Sequence, residues 1–282
     1  MISHRSVAAL IVLSAPAFRL AAQSPWHAHI DLIAIHDYRW RGIKRASGWN
    51  AQLEGMARAG GRTTWLAAGV WNNVELGTHR NGAVSDLRPG HWGLSETDFW
   101  GELAGTFSEV DLAAGFIWYE YRGRAGRIGT GEVYGRLRGS GRNPRKLAPE
   151  VSLWYDVVER NSGYLEAGVT APVLALPLRG VGLLAYASGN AGFAIGEPDR
   201  PSALAATTFD RPGFTSAELS VGLRMDGQKS MAGLILRVAG HLMYADDAAT
   251  RRRRIAPPEA SGWLRPYLTL GLGIRWPAPR DQ

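Results

Sequence analysis

Hydrophobic and polar residues alternate along most of the chain after its first 25 residues. Between Trp26 and Trp40 the even positions are mostly apolar or aromatic, whereas the odd positions carry most of the polar residues. Successive side chains of a β-strand point to opposite faces, so this pattern predicts a strand with one apolar and one largely polar face. The segment from Trp49 to Arg58 repeats the alternation. These two segments are therefore predicted to form a β-hairpin.

The same alternation predicts about twelve strands in an all-β fold. Their polar face is too charged for a sandwich core. A strand of about 12 residues, tilted by about 45°, rises about 28 Å, close to the apolar band of an outer membrane. We therefore predict a single transmembrane antiparallel β-barrel. The predicted strands lie near residues 26–40, 48–59, 62–73, 94–107, 110–121, 130–139, 147–158, 163–173, 179–188, 214–226, 231–245 and 263–276.

The connections support closure into one barrel. Three long gaps, near residues 74–93, 189–213 and 246–262, follow the third, ninth and eleventh strands, so all three leave the same end. Long loops outside and short turns inside are typical of outer-membrane barrels. The predicted short turns are Gly60-Gly61, Ser108-Glu109, the stretch bounded by Pro172 and Pro177, and Asp226-Gly227.

Tryptophan supports the same topology. The chain has 11 tryptophans, and those near predicted strand ends suit the aromatic belts that flank a membrane. We expect Trp26 and Trp40 at opposite interfaces, on the lipid-facing side. The other predicted belt residues are Trp49, Trp71, Trp118 and Trp276.

The first 22 residues have the pattern of a secretory signal peptide. Residues 1–5 are short and basic, residues 7–17 are apolar or small, and Leu20-Ala21-Ala22 suits signal peptidase cleavage. No later apolar run reaches the 18 or so residues of a membrane helix. We predict a signal peptide over residues 1–22 and a barrel over residues 23–282, in the outer membrane of a Gram-negative-type bacterial envelope.

Composition narrows the chemistry. The absence of cysteine excludes disulfides, thiolate metal sites and cysteine nucleophiles. The net charge is +7, but the basic residues lie on no amphipathic helix and beside no nucleic-acid motif, so no nucleic-acid partner is predicted. His27 and His29 share a face without a third ligand at a suitable spacing. We predict no metal and no cofactor.

Two partners follow from particular segments. Thr269, Gly271, Ile274 and Trp276 resemble the C-terminal signal read by the outer-membrane assembly machinery. An arginine run can bind the phosphates of lipopolysaccharide, because arginine makes bidentate contacts with phosphate, or it can lie in a solvated loop. The run consists of Arg251, Arg252, Arg253 and Arg254.

Three blocks resemble a known family. The first is His36-Asp37-Tyr38-Arg39-Trp40-Arg41-Gly42-Ile43, with Gln52 and Gly55 shortly after it. The second runs over residues 109–121, and the third is Gly131-Glu132-Val133-Tyr134. Together they are similar to the TorF-like porins. The resemblance implies an outer-membrane barrel with a pore role, and it carries no catalytic residues.

Strand alternation also predicts which side chains line a pore. Arg39 and Arg41 alternate with Tyr38 and Trp40, which places both guanidinium groups inside and both rings toward lipid. The two arginines either constrict the pore or bridge carboxylates of neighbouring strands. Acids slightly outnumber bases on the inner face, so we expect weak, at most slightly cationic selectivity. The predicted pore-lining residues are Asp37, Arg39, Arg41, Glu54, Glu132, Arg136, Glu150, Glu218, Arg224 and Arg237.

These observations predict a non-enzymatic, narrow porin for passive diffusion of small solutes. Two alternatives remain. One is a barrel-embedded lipid hydrolase, for which His241 is the best candidate base, although no Gly-x-Ser-x-Gly motif occurs. The other is a structural or assembly barrel without transport.

Overall fold

The computed structural model describes residues 26–41, 43–44, 46, 48–61, 63–76, 92–123, 126–139, 146–158, 162–178, 181–195, 212–227, 233–245 and 264–276. The predicted signal peptide and the run Arg251 to Arg254 lie outside the described residues. No helix in the described part of the chain is long and apolar enough to cross a membrane.

Twelve long strands and one short hairpin make up the described fold. The strands are β1 (His27–His36), β2 (Arg39–Trp40), β3 (Ile43–Lys44), β4 (Trp49–Gly60), β5 (Thr64–Leu76), β6 (Trp92–Phe107), β7 (Val110–Gly123), β8 (Gly126–Gly139), β9 (Ala148–Asp156), β10 (Gly163–Leu178), β11 (Val181–Ile195), β12 (Gly213–Gly227), β13 (Leu234–Ala245) and β14 (Leu264–Trp276).

The twelve long strands form one closed antiparallel barrel. Each pairs with its sequence neighbours, and β1 closes the ring by pairing with both β4 and β14. The predicted fold class is therefore confirmed. The three longest connections, residues 77–91, 196–212 and 246–263, leave one rim, which we call the loop end. The opposite rim, the turn end, carries short connections such as residues 61–63 and 108–109.

The two faces of the wall differ in polarity. Outward-facing Leu219, Val221 and Ile274 are 65%, 66% and 57% exposed. Inside, Asn50 and Asn73 are fully buried, and the Asn73 amide donates to Asn50 Oδ1 at 3.2 Å. This is the reverse of a soluble protein, because strand alternation turns apolar residues outward and polar residues toward the axis.

One predicted turn is wrong. The stretch from Pro172 to Pro177 does not reverse the chain but belongs to β10, with a bulge between Pro172 and Leu174. Pairing between β10 and β9 ends at Thr170, so the residues that follow pair only with β11. Proline is tolerated there because one edge of the strand has no ladder partner that needs its missing N–H.

The predicted aromatic belt is partly wrong. Trp26 and Trp49 are exposed on the outside, as expected. Trp71, however, faces the interior and packs against Tyr38, with ring centroids 5.5 Å apart. Trp40 also lies inside the barrel, where its ring meets Tyr119 at 5.9 Å. Both rings fill space around a segment that the alternation alone assigned to the wall.

Candidate functional site

The segment between β1 and β4 folds into a hairpin rather than extending the wall. Strand β1 ends at His36, because Asp37 and Arg41 adopt positive φ angles of 60° and 51°. The neck is closed by two hydrogen bonds: Asp37 N–H donates to Gly48 O, and Gly48 N–H donates to Asp37 Oδ1, both at 2.8 Å. We call residues 37–48 the lumen hairpin. The predicted strand from Trp26 to Trp40 is therefore too long.

The base of the lumen hairpin is packed inside the barrel. Tyr38 is 6% exposed and Ala46 1% exposed, and they form a buried cluster with Ile35 on β1. Trp71 and Tyr267 pack against this cluster from the wall. The prediction that Tyr38 and Trp40 face lipid is thus wrong, because the chain leaves the strand conformation at Asp37.

Arg41 joins the hairpin to the far wall. Its Nη1 and Nη2 donate to Glu132 Oε1 and Oε2 at 2.7 and 2.8 Å. Glu132 lies on β8, which is five strands from β1 around the ring of twelve and hence almost opposite. This ion pair, which we call the lumen clamp, therefore spans the interior of the barrel.

Aromatic rings enclose the lumen clamp. The Arg41 guanidinium lies 4.2 Å from the Trp40 ring centroid, 4.4 Å from Tyr164 and 5.1 Å from Trp154. The Tyr119 hydroxyl donates to Glu132 Oε2 at 2.9 Å. Cation–π contacts of this kind strengthen when water is excluded. The clamp is thus a desolvated unit with all of its charges paired.

Electrostatics keep Arg41 charged in this buried place. Burial is the largest single influence and lowers the pKa of the guanidinium, but the Glu132 carboxylate together with Tyr119 and Tyr164 raises it by more, and the pKa ends above its ordinary value. The two charges are 7% and 8% exposed and cancel at close range. The clamp therefore blocks space without adding a strong field to the lumen.

A small cavity lies along the inner wall of the barrel. Its volume is about 150 Å³, and its lining includes Arg138, Glu150, Glu166, Ser188, Asn190 and Glu218. These residues belong to β8 through β12, so the cavity follows one side of the wall. The lumen hairpin and the clamp leave this side as a water-accessible region with polar walls.

The predicted pore-lining residues fall into two groups. Asp37, Arg39 and Arg41 belong to the lumen hairpin and not to the wall. The other seven lie on the inward face of the strands, and several are paired with acids. Arg136 lies 2.9 Å from Glu102, Arg224 lies 2.9 Å from Asp226, and Arg237 pairs with Asp31. These seven are Glu54, Glu132, Arg136, Glu150, Glu218, Arg224 and Arg237.

Sequence reasoning missed the residues that surround Arg41. Trp154 shares a strand face with Ser152 and Asp156, and Tyr164 shares one with Glu166, so strand parity places both rings inside. The Tyr164 ring in turn requires glycine at position 192, because a Cβ there would collide with its hydroxyl. A search for aromatic residues on the polar face would have found them.

His241 lies in a hydrogen-bonded network on the wall. Its Nδ1 is 2.8 Å from Glu218 Oε1, and its Nε2 is 2.9 Å from Thr269 Oγ1. Tyr267 donates to Glu218 Oε2 at 2.8 Å and stacks on the imidazole with centroids 4.3 Å apart. The network ties β12, β13 and β14 together. Within the described residues, no group of three His, Asp or Glu is arranged to hold a metal ion.

Comparisons with known proteins find similar chains among solved structures. No family model matches the chain, and no curated protein matches it either. The NanC porin is 9% identical, with 87% of this chain and 98% of that chain covered and a TM-score of 0.45. An outer-membrane channel from Pseudomonas putida F1 is 11% identical, with 90% and 96% covered and a TM-score of 0.46. The translocator domain of the autotransporter NalP from Neisseria meningitidis is 13% identical, with 94% and 93% covered and a TM-score of 0.42.

Proposed function

We propose that the protein is an outer-membrane barrel that acts as a narrow channel for passive diffusion of small solutes. The observation that carries this proposal is the lumen clamp, which crosses a polar interior inside a barrel with an apolar exterior. Soluble monomers rarely expose such large apolar surfaces, whereas a lipid bilayer requires them. The loop end faces outward in this proposal, and Arg251 to Arg254 are lipopolysaccharide contacts.

The dimensions favour a narrow path. Barrels of 8 strands are filled by side chains, whereas those of 16 to 18 strands leave an aqueous channel, so twelve strands enclose an intermediate space. The lumen hairpin occupies part of that space. The cavity of about 150 Å³ along β8 to β12 has room for water and small solutes.

Selectivity is expected to be weak and at most slightly cationic. The structure adds Glu75 and Asp111 to the acids on the inner face. Several interior arginines are paired with carboxylates, so their charges are largely neutralised. The remaining arginine excess lies largely in the connections, where salt with a Debye length of about 8 Å screens it from the lumen. The sign of the net charge of +7 is therefore a poor guide to selectivity.

A planar-bilayer recording of refolded protein tests the channel and its selectivity. We expect single-channel currents well below those of a general porin, and a reversal potential near zero or slightly cationic in a salt gradient. Absence of current from correctly folded protein would contradict the channel. Strong anion preference would contradict the assignment of charges to the inner face.

One observation favours a second candidate function, ester hydrolysis. Thr269, His241 and Glu218 form the order of hydroxyl, imidazole and carboxylate found in hydrolytic triads. We expect no turnover, because the single proton of the Thr269 hydroxyl is directed to the Ala239 carbonyl at 3.5 Å, whereas a nucleophilic hydroxyl must donate it to the imidazole. Fatty-acid release from phospholipid by the wild type, Thr269→Val and His241→Ala measures this directly. Turnover that both substitutions abolish would replace the channel proposal.

A further inference from the structure

Basic side chains are concentrated on one part of the inner wall near the turn end. They lie on five strands that are adjacent in the ring, β4, β1, β14, β13 and β12. All of them fall within the last few residues of their strands at that rim. We call this set the basic mouth; it consists of Arg58, His27, His29, Arg275, Arg237 and Arg224.

Several members of the basic mouth face each other directly. Arg224 is the register partner of Arg237, His27 of Arg58, and His29 of Arg275. Of these pairs, Arg224 and Arg237 are two permanent cations directly opposite each other, an arrangement that destabilises a sheet. Asp226 and Asp31 offset this repulsion in part, and an anion that visits the mouth offsets more of it.

The acids at the mouth satisfy only part of this charge. Asp226 pairs with Arg224 at 2.9 Å, and Asp31 contacts both Arg237 and His29. Among the residues that the structure describes, neither Arg275 nor Arg58 is in ion-pair contact with a carboxylate. Arg58 instead lies 3.9 Å from the Trp65 ring centroid. Carboxylates act on these two guanidinium groups only from beyond ion-pair distance: Asp111 and Glu102 on Arg58, and Asp226 and Asp31 on Arg275.

Water reaches these groups from the lumen. The side chains of Arg224 and Arg237 are 32% and 31% exposed, and Arg58 and Arg275 are half-buried. Arg275 also lies within electrostatic reach of Arg224 and Arg237, and of Asp226 and Asp31, which pair with those two arginines. Guanidinium groups bind carboxylate and phosphate oxygens in a planar, bidentate geometry. Three arginines on neighbouring strands can therefore surround one small oxyanion.

We infer that the basic mouth is a binding subsite for the carboxylate or phosphate group of a small solute at the turn end of the lumen. The inference rests on the proposed channel function, since it places the subsite at one end of the solute path. Anion binding at this subsite is a different property from the ion selectivity of the channel. Bulk selectivity reflects the whole lumen, whereas the subsite acts at one rim and holds an anion that enters from that side.

The test uses inorganic phosphate as the probe and full-length mature protein refolded in detergent. Isothermal titration calorimetry at fixed pH and low salt is expected to show saturable phosphate binding. Arg275→Gln should weaken binding about tenfold or more, because it removes charge-assisted hydrogen bonds. Arg138→Gln is the matched control: it is an interior arginine near the same rim but on the opposite wall, and should bind as the wild type does. Arg58→Gln provides a second variant should Arg275→Gln fail to fold.

Bilayer recordings locate the subsite. In phosphatidylcholine membranes, phosphate added at the turn end should reduce the potassium current at lower concentration than phosphate added at the loop end. Equal effects from the two sides, or equal binding by Arg275→Gln and Arg138→Gln, would overturn the inference. An effect that appears only with phosphatidylglycerol membranes would assign the basic mouth to lipid headgroups and also overturn it.

The two proposals fail in different ways. Conduction without phosphate binding would overturn the subsite and leave the channel standing. Phosphate binding by folded protein that never conducts would overturn the channel, and the basic mouth would remain an anion site of a closed barrel.

Discussion

Glu132→Gln is expected to lower the free energy of unfolding by about 3–5 kcal/mol, the usual cost of breaking a buried ion pair. The substitution keeps the size of the side chain but leaves the Arg41 cation without its carboxylate in a site where both groups are less than one-tenth exposed. Tyr119 also loses a charged acceptor. Urea unfolding in detergent or lipid vesicles measures this loss of stability. The folded fraction is determined from the electrophoretic mobility of unheated samples.

Glu150→Gln is the control for this prediction. Glu150 lies 3.5 Å from Arg138, and the two side chains are 36% and 51% exposed, so water compensates for the lost charge. We expect a loss below about 1 kcal/mol. Replacing both Arg41 and Glu132 by methionine should recover much of the stability, since apolar pairs often replace buried ion pairs without loss. Equal losses for Glu132→Gln and Glu150→Gln would contradict a desolvated clamp.

The clamp variant also reports on the channel. Without the carboxylate the lumen hairpin loses its charged contact with the far wall and keeps its neck, the cluster around Tyr38 and its aromatic contacts. In protein that still folds, the single-channel conductance of Glu132→Gln should exceed that of the wild type and fluctuate more. An unchanged conductance would mean that the clamp does not limit the path.

Strand positions were predictable because one physical pattern repeats in every strand. A barrel wall between lipid and a polar lumen forces apolar and polar residues to alternate, and β12 shows this from Ser216 to Met225. The same logic placed Glu132, Glu218 and Arg237 on the inner face. Closure followed from the length of the strands and from the shared rim of the long connections.

The lumen hairpin could not be predicted in this way. Residues 37–41 continue the alternation of β1, so local pattern favours a longer strand. The chain turns because Asp37 adopts a left-handed conformation and bonds to Gly48, eleven residues away. The partner of Arg41 is 91 residues away and is brought close only by closure of the barrel. The basic mouth could not be predicted from the alternation either. The alternation turns Arg224 and Arg237 inward, but only the strand register places them side by side.

Leu219→Arg is expected to destabilise the protein by about 2–4 kcal/mol, the cost of an arginine on the lipid face near the bilayer midplane. Leu219 lies near the middle of β12, is 65% exposed on the outer face, and is opposite Gly189 and Leu242 in the register. In water, an exposed leucine could be replaced by arginine at almost no cost. The size of the loss therefore measures whether lipid surrounds this surface.

Asn190→Arg provides the matched control on the inner face of the next strand. Asn190 is opposite Glu218 in the register and lines the cavity that also contains Glu150 and Glu166, so an added guanidinium finds water and carboxylates there. We expect Asn190→Arg to fold with nearly wild-type stability in lipid vesicles. We also expect Leu219→Arg to lose much less stability in detergent micelles, which deform around a charge more readily than a bilayer does. Equal losses for the two variants in vesicles would contradict the assignment of Leu219 to lipid and of Asn190 to the lumen.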